Sequence, residues 1–422
     1  MFRRIFVIGV RFCPGFALSA EAGKRLSESD VILTSRRILD DLSNNVDIAG
    51  HNGPCGLDWE ELRPKVKVID KVDETVSFLR GISGKAAVLA SGDPLFFGIG
   101  GVLAAEFPRE EVEVYPALSS MQLAFARIGR PWEDAFFVSL HGRKKRHWQP
   151  EDLPLLAGMH QKLMILTGGE GRRPRDIAPH LPGDCRVFVF ERIGYPDENL
   201  VETTPAELER ANRAFSEPNL LIVEPARRDD IQGAEIAFGL GEDEFEHDGL
   251  ITKDEIRAAL LHKLRLPREG VLWDIGAGSG SVGIEAKRLC PGLKVYAVEK
   301  NRQRAEKIAL NCLKLSAGAI NVVEGEAPKI LAGLPAPQRV VIGGGGGELI
   351  DIIKAVSGAM EKGIVVIPAI TLESIREAME ALKDEGFAKL DAASVAVSRM
   401  TPVGDRNYLK ALNPVFLIKG SR

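Results

Sequence analysis

Val271-Leu-Trp-Asp-Ile-Gly-Ala-Gly-Ser-Gly-Ser-Val-Gly283 joins an apolar run to a glycine turn and then to the start of a helical pattern. A strand that feeds such a turn is a nucleotide-binding layout, because glycines let backbone amides approach a ligand and the following helix points its N-terminus there. A second apolar run, Lys294-Val-Tyr-Ala-Val298, is closed by Glu299, 23 residues after Gly276. That is near the spacing at which an acidic side chain meets a ribose hydroxyl. Together the two elements point to an adenosine-bearing cofactor.

Gly278, Gly280 and Gly283 also satisfy the G-x-G-x-x-G pattern of dinucleotide sites, a weak signal by itself. Asp274 shifts the balance. A carboxylate in the floor of the pocket tolerates a cationic, methionine-derived ligand better than a pyrophosphate, which it would repel. S-adenosylmethionine is therefore favoured over NAD, with Asp274 as a mere cap of the following turn as the alternative.

Around this stretch, Ile256 to Leu264 and Arg302 to Leu315 read as amphipathic helices, and Val340-Val-Ile342 runs into Gly343-Gly-Gly-Gly-Gly347. Five glycines carry a large entropic cost, so this strand end is expected to need close approach by a ligand or by packing, a mobile surface loop being the alternative. Ile364 to Ile367 and Val415 to Ile418 supply further strands of a doubly wound sheet. Upstream, short β-branched runs alternate with helical patterns at Ile5 to Gly9, Val31 to Thr34, Ala86 to Ala90, Phe136 to Leu140, Lys162 to Leu166, Arg186 to Phe190 and Asn219 to Val223. The class is α/β with mainly parallel sheets. The strongest break falls between Pro225 and Asp248, which is charged and weakly periodic.

Composition bounds the rest. A chain of 422 residues with 45% hydrophobic and 27% charged residues has room for two or three soluble domains. A net charge of -4 makes no case for nucleic-acid binding. Cys13, Cys55, Cys185, Cys290 and Cys312 are odd in number and scattered, which predicts reduced cytoplasmic thiols and no metal site. The apolar run after Arg3-Arg4 is too short for a signal peptide, and no segment approaches transmembrane length.

In the upstream half, Ser91-Gly-Asp-Pro94 follows the run Ala86-Ala-Val-Leu-Ala90 and precedes a helical stretch, Phe96 to Ala105. Strand ends of this kind are where α/β sheets hold ligands. Pro116-Ala-Leu-Ser-Ser-Met-Gln122 offers two hydroxyls and an amide at a helix start. Ser119 there fits a cap and a ligand contact equally well.

Gly9 with Pro14-Gly15, Ala90-Ser-Gly-Asp-Pro-Leu-Phe-Phe-Gly98, Pro116-Ala-Leu-Ser-Ser-Met-Gln-Leu-Ala-Phe125 and Ser139-Leu-His-Gly-Arg143 resemble the tetrapyrrole methylases of cobalamin synthesis. Glu246-His-Asp-Gly-Leu-Ile-Thr-Lys253, Trp273-Asp-Ile-Gly-Ala-Gly-Ser-Gly-Ser281 and Glu324-Gly-Glu-Ala-Pro328 are similar to the partner methyltransferase-decarboxylase. A chain with both, in this order, resembles the precorrin-6Y 5,15-methyltransferase (decarboxylating) family, which includes an anaerobic, cobalt-precorrin counterpart.

The resemblance implies a two-lobed tetrapyrrole methylase fold over residues 1–225, with lobes of about 1–117 and 118–225. A linker over 226–243 and a Rossmann-like S-adenosylmethionine-dependent methyltransferase over 244–422 follow. Each half would carry its own donor site, yielding S-adenosylhomocysteine. Gly9, Pro14, Gly15, Ser91, Gly92, Asp93, Ser119 and Ser120 would form the first, and Thr252, Asp274, Gly276, Gly278, Gly280, Ser281, Glu299, Gly325, Glu326 and Ala327 the second. The upstream half would methylate ring position 5; the downstream half would methylate position 15 and decarboxylate the position-12 acetate. A homo-oligomer is also implied.

The tetrapyrrole substrate so implied bears many carboxylates, which arginine forks suit. Arg143-Lys-Lys-Arg-His147 is the upstream candidate, against a solvated charge run, and His141 is either a polar contact or a core histidine. Thr252 and Lys253 precede a helix and either cap it, the favoured role for Thr252, or touch substrate. Two departures stand out: Arg11-Phe-Cys13 occupies a turn that is usually richer in glycine, and Glu326 stands where Asp is usual. An NAD-dependent oxidoreductase, a non-catalytic tetrapyrrole-binding protein, and a downstream half that methylates RNA or protein are the competing readings, the overall acidity counting against RNA.

Overall fold

The computed structural model describes residues 3–10, 18–46, 59–141, 148–225, 238–344 and 347–422. Pro14, Gly15, Arg143 and most of the 226–243 segment lie outside the described residues. The chain forms two compact units, one within Met1–Gly142, Lys162–Pro179 and Gly183–Glu224, the other within Arg143–Gln161, His180–Pro182 and Pro225–Arg422.

The first unit holds two sheets. One runs in the order β3-β2-β4-β1-β5, built from β1 (Arg3–Val10), β2 (Val31–Thr34), β3 (Val66–Val68), β4 (Gly84–Ser91) and β5 (Val112–Tyr115), with every pairing parallel. Its central strands read as unbroken apolar runs because both faces are covered. Phe6 and Ile8 of β1 join Ala87 and Leu89 in one core, whereas Ile5 and Val7 join Ala86 and Val88 in the other.

The second sheet runs β6-β7-β10-β8-β9, from β6 (Ala135–Ser139), β7 (Lys162–Leu166), β8 (Arg186–Glu191), β9 (Asn199–Thr203) and β10 (Asn219–Glu224). Here only β6 with β7 is parallel; β7·β10, β10·β8 and β8·β9 are antiparallel. The expectation of mainly parallel sheets is corrected for this lobe. Apolar runs of this kind carry no mark of direction, which is set by the connections between them.

The second unit is a seven-stranded sheet in the order β13-β12-β11-β14-β15-β19-β16. Its strands are β11 (Glu269–Ile275), β12 (Gly292–Glu299), β13 (Ile320–Glu324), β14 (Arg339–Ile342), β15 (Ile364–Ala369), β16 (Ala388–Val395) and β19 (Val415–Ser421). Strands β11 to β15 are parallel, and β19 inserts antiparallel between β15 and β16. Helices cover both faces. Ile256, Leu260, Leu261 and Leu264 pack with Leu272 and Val341 on one side, and Ile352, Ile353 and Val356 pack with Trp273 and Val340 on the other. Strands β17 (Ser398–Val403) and β18 (Arg406–Ala411) form a separate hairpin.

One segment departs from the division read in the sequence. Asp152, from the 148–161 stretch, belongs to the second unit, where its carboxylate meets Lys287 Nζ at 3.0 Å and accepts from the Ala319 amide at 2.8 Å. Among the described residues, no helix is long and apolar enough to cross a membrane.

Candidate functional site

The order of the second unit's sheet reverses between β11 and β14, and the carboxyl ends of strands at such a switch point diverge to leave a crevice. A cavity of about 640 Å³ opens there. Its floor is the turn after β11, where Gly276 (φ +74°) and Gly278 (φ +59°) adopt backbone angles that suit glycine. The Gly276 and Ala277 amides donate to the Val298 carbonyl at 2.9 and 3.0 Å, which ties the turn to the end of β12.

Glu299 closes β12, is 4% exposed and lines the cavity. One carboxylate oxygen accepts from the Gly278 amide and the other from the Asn301 amide, each at 2.9 Å. Thr252, Lys253, Gly276, Gly278, Ser281, Glu299, Gly325, Glu326 and Ala327 all line this cavity. The motif segments at 249–253, 276–281 and 325–327, far apart in the chain, meet at one set of strand ends.

Two members of the second set stand elsewhere. Asp274 is 2% exposed and lies behind the wall, its Oδ2 accepting from the Gly283 amide at 3.0 Å in the first turn of the helix Ser281–Leu289. Capping, the alternative reading, is what its geometry delivers. Burial, then the nearby Glu299 charge, outweighs that amide and pushes the Asp274 carboxyl up to about 7. Gly280 faces the core: a Cβ there would meet Ile308 Cγ2 at 2.8 Å. Thr252, favoured as a cap, is not one. Lys253 is the N-cap residue of the helix Asp254–Leu264, and no side chain caps it.

Several residues that the motifs did not signal hold this wall in place. Asn311, fully buried, accepts from the Glu246 amide at 2.7 Å and donates to the Ser279 carbonyl at 2.9 Å. It staples the 246–253 segment to the glycine turn. Glu242 pairs with Lys253 and, at 2.6 Å, with Arg399 of β17; burial pushes its carboxyl up, but the hydrogen bonds from Lys253 and then Arg399 outweigh it and hold the carboxylate below its usual range. Arg304 lines the cavity and pairs with Asp248 at 2.8 Å. Ser279 Oγ, on the cavity wall, is buried and has no hydrogen-bond partner among the described residues.

The first unit has a smaller cavity of about 140 Å³ at the carboxyl ends of β1 and β4, closed from the other lobe by Leu166, Tyr195 and Asn219. Ser91, Gly92 and Ser120 of the first set line it. Gly9 lies beneath, where any Cβ would sit 2.1 Å from the Gly92 carbonyl oxygen, so glycine is required for the strand ends to cross. Asp93 forms a local turn, accepting from the Leu95 amide at 2.8 Å. Ser119 is 3% exposed and its hydroxyl caps the helix Ser120–Ile128 in a reciprocal box with Gln122. Ser119 is thus a cap and its neighbour Ser120 faces the cavity. His141 is exposed, which removes the core-histidine reading, and it is not among the cavity residues.

A family model described as precorrin methyltransferase domain matches residues 243–421, and one described as tetrapyrrole (corrin/porphyrin) methylases matches residues 5–209. The precorrin-6Y C(5,15)-methyltransferase (decarboxylating) of a Sinorhizobium species is 34% identical over 418 residues, covering 97% of this chain and 94% of its own. The probable cobalt-precorrin-6B C(15)-methyltransferase (decarboxylating) of Pyrobaculum calidifontis is 42% identical over 170 residues, 40% of this chain and 87% of its own. A crystal structure described as precorrin-6Y C5,15-methyltransferase, from Geobacter metallireducens, is 40% identical and covers 44% of this chain and 98% of its own, with a TM-score of 0.43.

Proposed function

This chain belongs to the precorrin-6Y C5,15-methyltransferase (decarboxylating) family, and we propose that its two units methylate one tetrapyrrole at ring positions 5 and 15, each from an S-adenosylmethionine site of its own. In the downstream unit the position-12 acetate also loses its carboxylate as carbon dioxide, which leaves a methyl group on the ring. In this proposal 1–225 and 244–422 are the two functional domains, joined by 226–243, with lobes of about 1–117 and 118–225 in the first. One observation carries the reading: acid, glycine turn and backbone walls converge at the sheet reversal, where Glu299, Gly276, Gly278 and Glu326 line one cavity.

The donor fits these residues. Glu299 spends one lone pair of each oxygen on an amide and keeps the others for ribose hydroxyls. Glu326 would accept from the adenine amine, and the orphaned Ser279 hydroxyl is a buried polar group awaiting a ligand partner. A dinucleotide fits less well. The Gly278 amide that would serve a pyrophosphate is turned onto a carboxylate at 2.9 Å, which would repel it. In the upstream unit, Ser91, Gly92 and Ser120 would contact the donor.

When bound, the donor supplies an electrophilic methyl group on a positively charged sulfur. The chain's task is to aim, and holding two reactants in line contributes up to roughly 7–11 kcal/mol. The walls at 250–253, 325–327 and 343–344 line that reaction volume. For decarboxylation the conjugated ring takes the electrons, so the protein holds the ionised acetate and excludes water. Self-association belongs to the same proposal, supported by Met400 and Leu409 on the β17–β18 hairpin, which are 70% and 71% exposed.

Mass spectrometry tests the whole. The intact chain is given the donor with cobalt-free and with cobalt-containing substrate. A gain of two methyl groups with loss of carbon dioxide is expected with one of them, and methyl-free product from both overturns the proposal.

A further inference from the structure

Among the described residues lining the upstream cavity, Arg37 is the one that carries a charge. It sits on the helix Arg36–Val46, just after β2, and is exposed at the cavity edge. Because β2 lies beside β4, this helix start comes next to the end of β4. Arg37 Nη2 there donates to Ser91 Oγ at 3.1 Å. A neutral hydroxyl is a modest partner for a guanidinium with five donors in a fixed fork.

The surroundings keep that fork available. Asp41, one turn along the same helix, accepts from the Tyr195 hydroxyl at 2.8 Å. Burial, then that hydrogen bond, pushes the Tyr195 phenol up to about 12, so it remains a donor that occupies Asp41. Arg192 stacks over the Tyr195 ring at 4.3 Å and pairs with Asp197 at 2.6 Å, so the nearby second arginine is already matched. Arg37 forms no ion pair among the described residues. The rest of the cavity wall is apolar or neutral, including Leu118, Leu166, Asn219 and Leu220. Among the described lining residues no other fixed charge competes with Arg37 for an anionic group.

We propose that Arg37 is the carboxylate receptor of the upstream site, gripping a ligand carboxylate with the part of its fork that Ser91 does not use. The inference rests on the assignment of that unit as a methylation site. Two ligands bring a carboxylate there: the amino-acid end of the methyl donor, and the acetate or propionate arms of the macrocycle.

The test uses the full chain with Arg37→Met and Arg37→Lys, reading methylation at position 5 by mass spectrometry and methylation at position 15 as an internal reference. Losing a charge-assisted fork is expected to weaken binding about 10- to 100-fold. If the donor supplies the carboxylate, Arg37→Met raises the inhibition constant of S-adenosylhomocysteine by that factor. It then leaves that of 5′-methylthioadenosine, which has no carboxylate, unchanged. If the macrocycle supplies it, the tetrapyrrole KM rises instead and both inhibitors are unaffected. Arg37→Lys recovers part of either loss. Thermal melting should be unchanged, because the side chain is exposed. Constants that all stay within about twofold of wild type overturn the proposal. A wild-type chain that never methylates position 5 instead removes the assignment of the unit, and the role of Arg37 falls with it.

Discussion

Asp274 makes stability depend on pH in a direction opposite to that of most carboxylates. Its carboxyl titrates near 7 in the folded chain, against about 4 for an exposed aspartate. Between those values the folded form keeps a proton that the unfolded chain has lost, so raising the pH through this window favours unfolding. Three pH units correspond to about 4 kcal/mol, a large share of a domain's stability. Asp274→Asn removes the titration while keeping an oxygen that accepts from the Gly283 amide. Its extra N–H group adds a cost of its own, but that cost does not vary with pH. The quantity to read is therefore a slope. From pH 5 to pH 8 the variant should gain about 3 kcal/mol on wild type, measured as the difference in guanidinium midpoint times m. Trp273, fully buried beside it, reports the transition. Parallel curves for the two proteins over that range would refute the raised titration.

The same variant asks whether the Asp274 charge reaches the cavity. A negative carboxylate behind the glycine turn favours a sulfonium over a neutral thioether, so the preference for S-adenosylmethionine over S-adenosylhomocysteine should grow from pH 6 to pH 8. Asp274→Asn should flatten that trend. A flat profile in wild type assigns the residue to capping alone.

Gly280→Ala places a methyl 2.8 Å from Ile308 Cγ2 at φ +79°, a combination of strain and overpacking worth roughly 2–4 kcal/mol. Its denaturation midpoint should fall while affinity for S-adenosylhomocysteine, measured by calorimetry below the melt, stays put. A loss of affinity at full stability would move Gly280 from packing to ligand contact. Glu285→Ala takes from Arg257 its buried partner, at 2.6 Å with side chains 1% exposed, and from the Gly239 and Leu240 amides their acceptor, leaving Arg257 the exposed Asp254 carboxylate at 3.3 Å. A cost of about 3–5 kcal/mol is expected from chemical denaturation, and a change under 1 kcal/mol would contradict it.

Strands buried on both faces were legible because they need apolar residues at consecutive positions; β1, β4, β11 and β12 all read as such runs. Strands that pair without burial gave no such signal. Strand β18, Arg-Asn-Tyr-Leu-Lys-Ala, is exposed throughout, and β9 buries none of its residues. Strand β3 is three residues long. Their backbones are satisfied by neighbours whose identity is non-local, which no window of sequence contains. The antiparallel pairing of the second sheet was hidden for the same reason.

Within the sites, motif position located the walls, but it did not sort ligand-facing side chains from those that merely hold the turn. Ser119 and Ser120 are adjacent, yet one hydroxyl closes a capping box and the other faces the cavity. Asp274 and Glu299 end neighbouring strands, yet one supports the helix and the other lines the pocket. In each pair the helix that follows the turn requires a partner for its free amides, and the side chain that supplies it is withdrawn from the ligand. Arg37 shows the converse. No motif surrounds it, and it gains a place beside Ser91, 54 positions away, only because β2 is laid against β4. Residues that motifs single out are thus drawn partly from the scaffold of a turn, whereas charges that select a ligand arrive by sheet order from helices with no signature of their own.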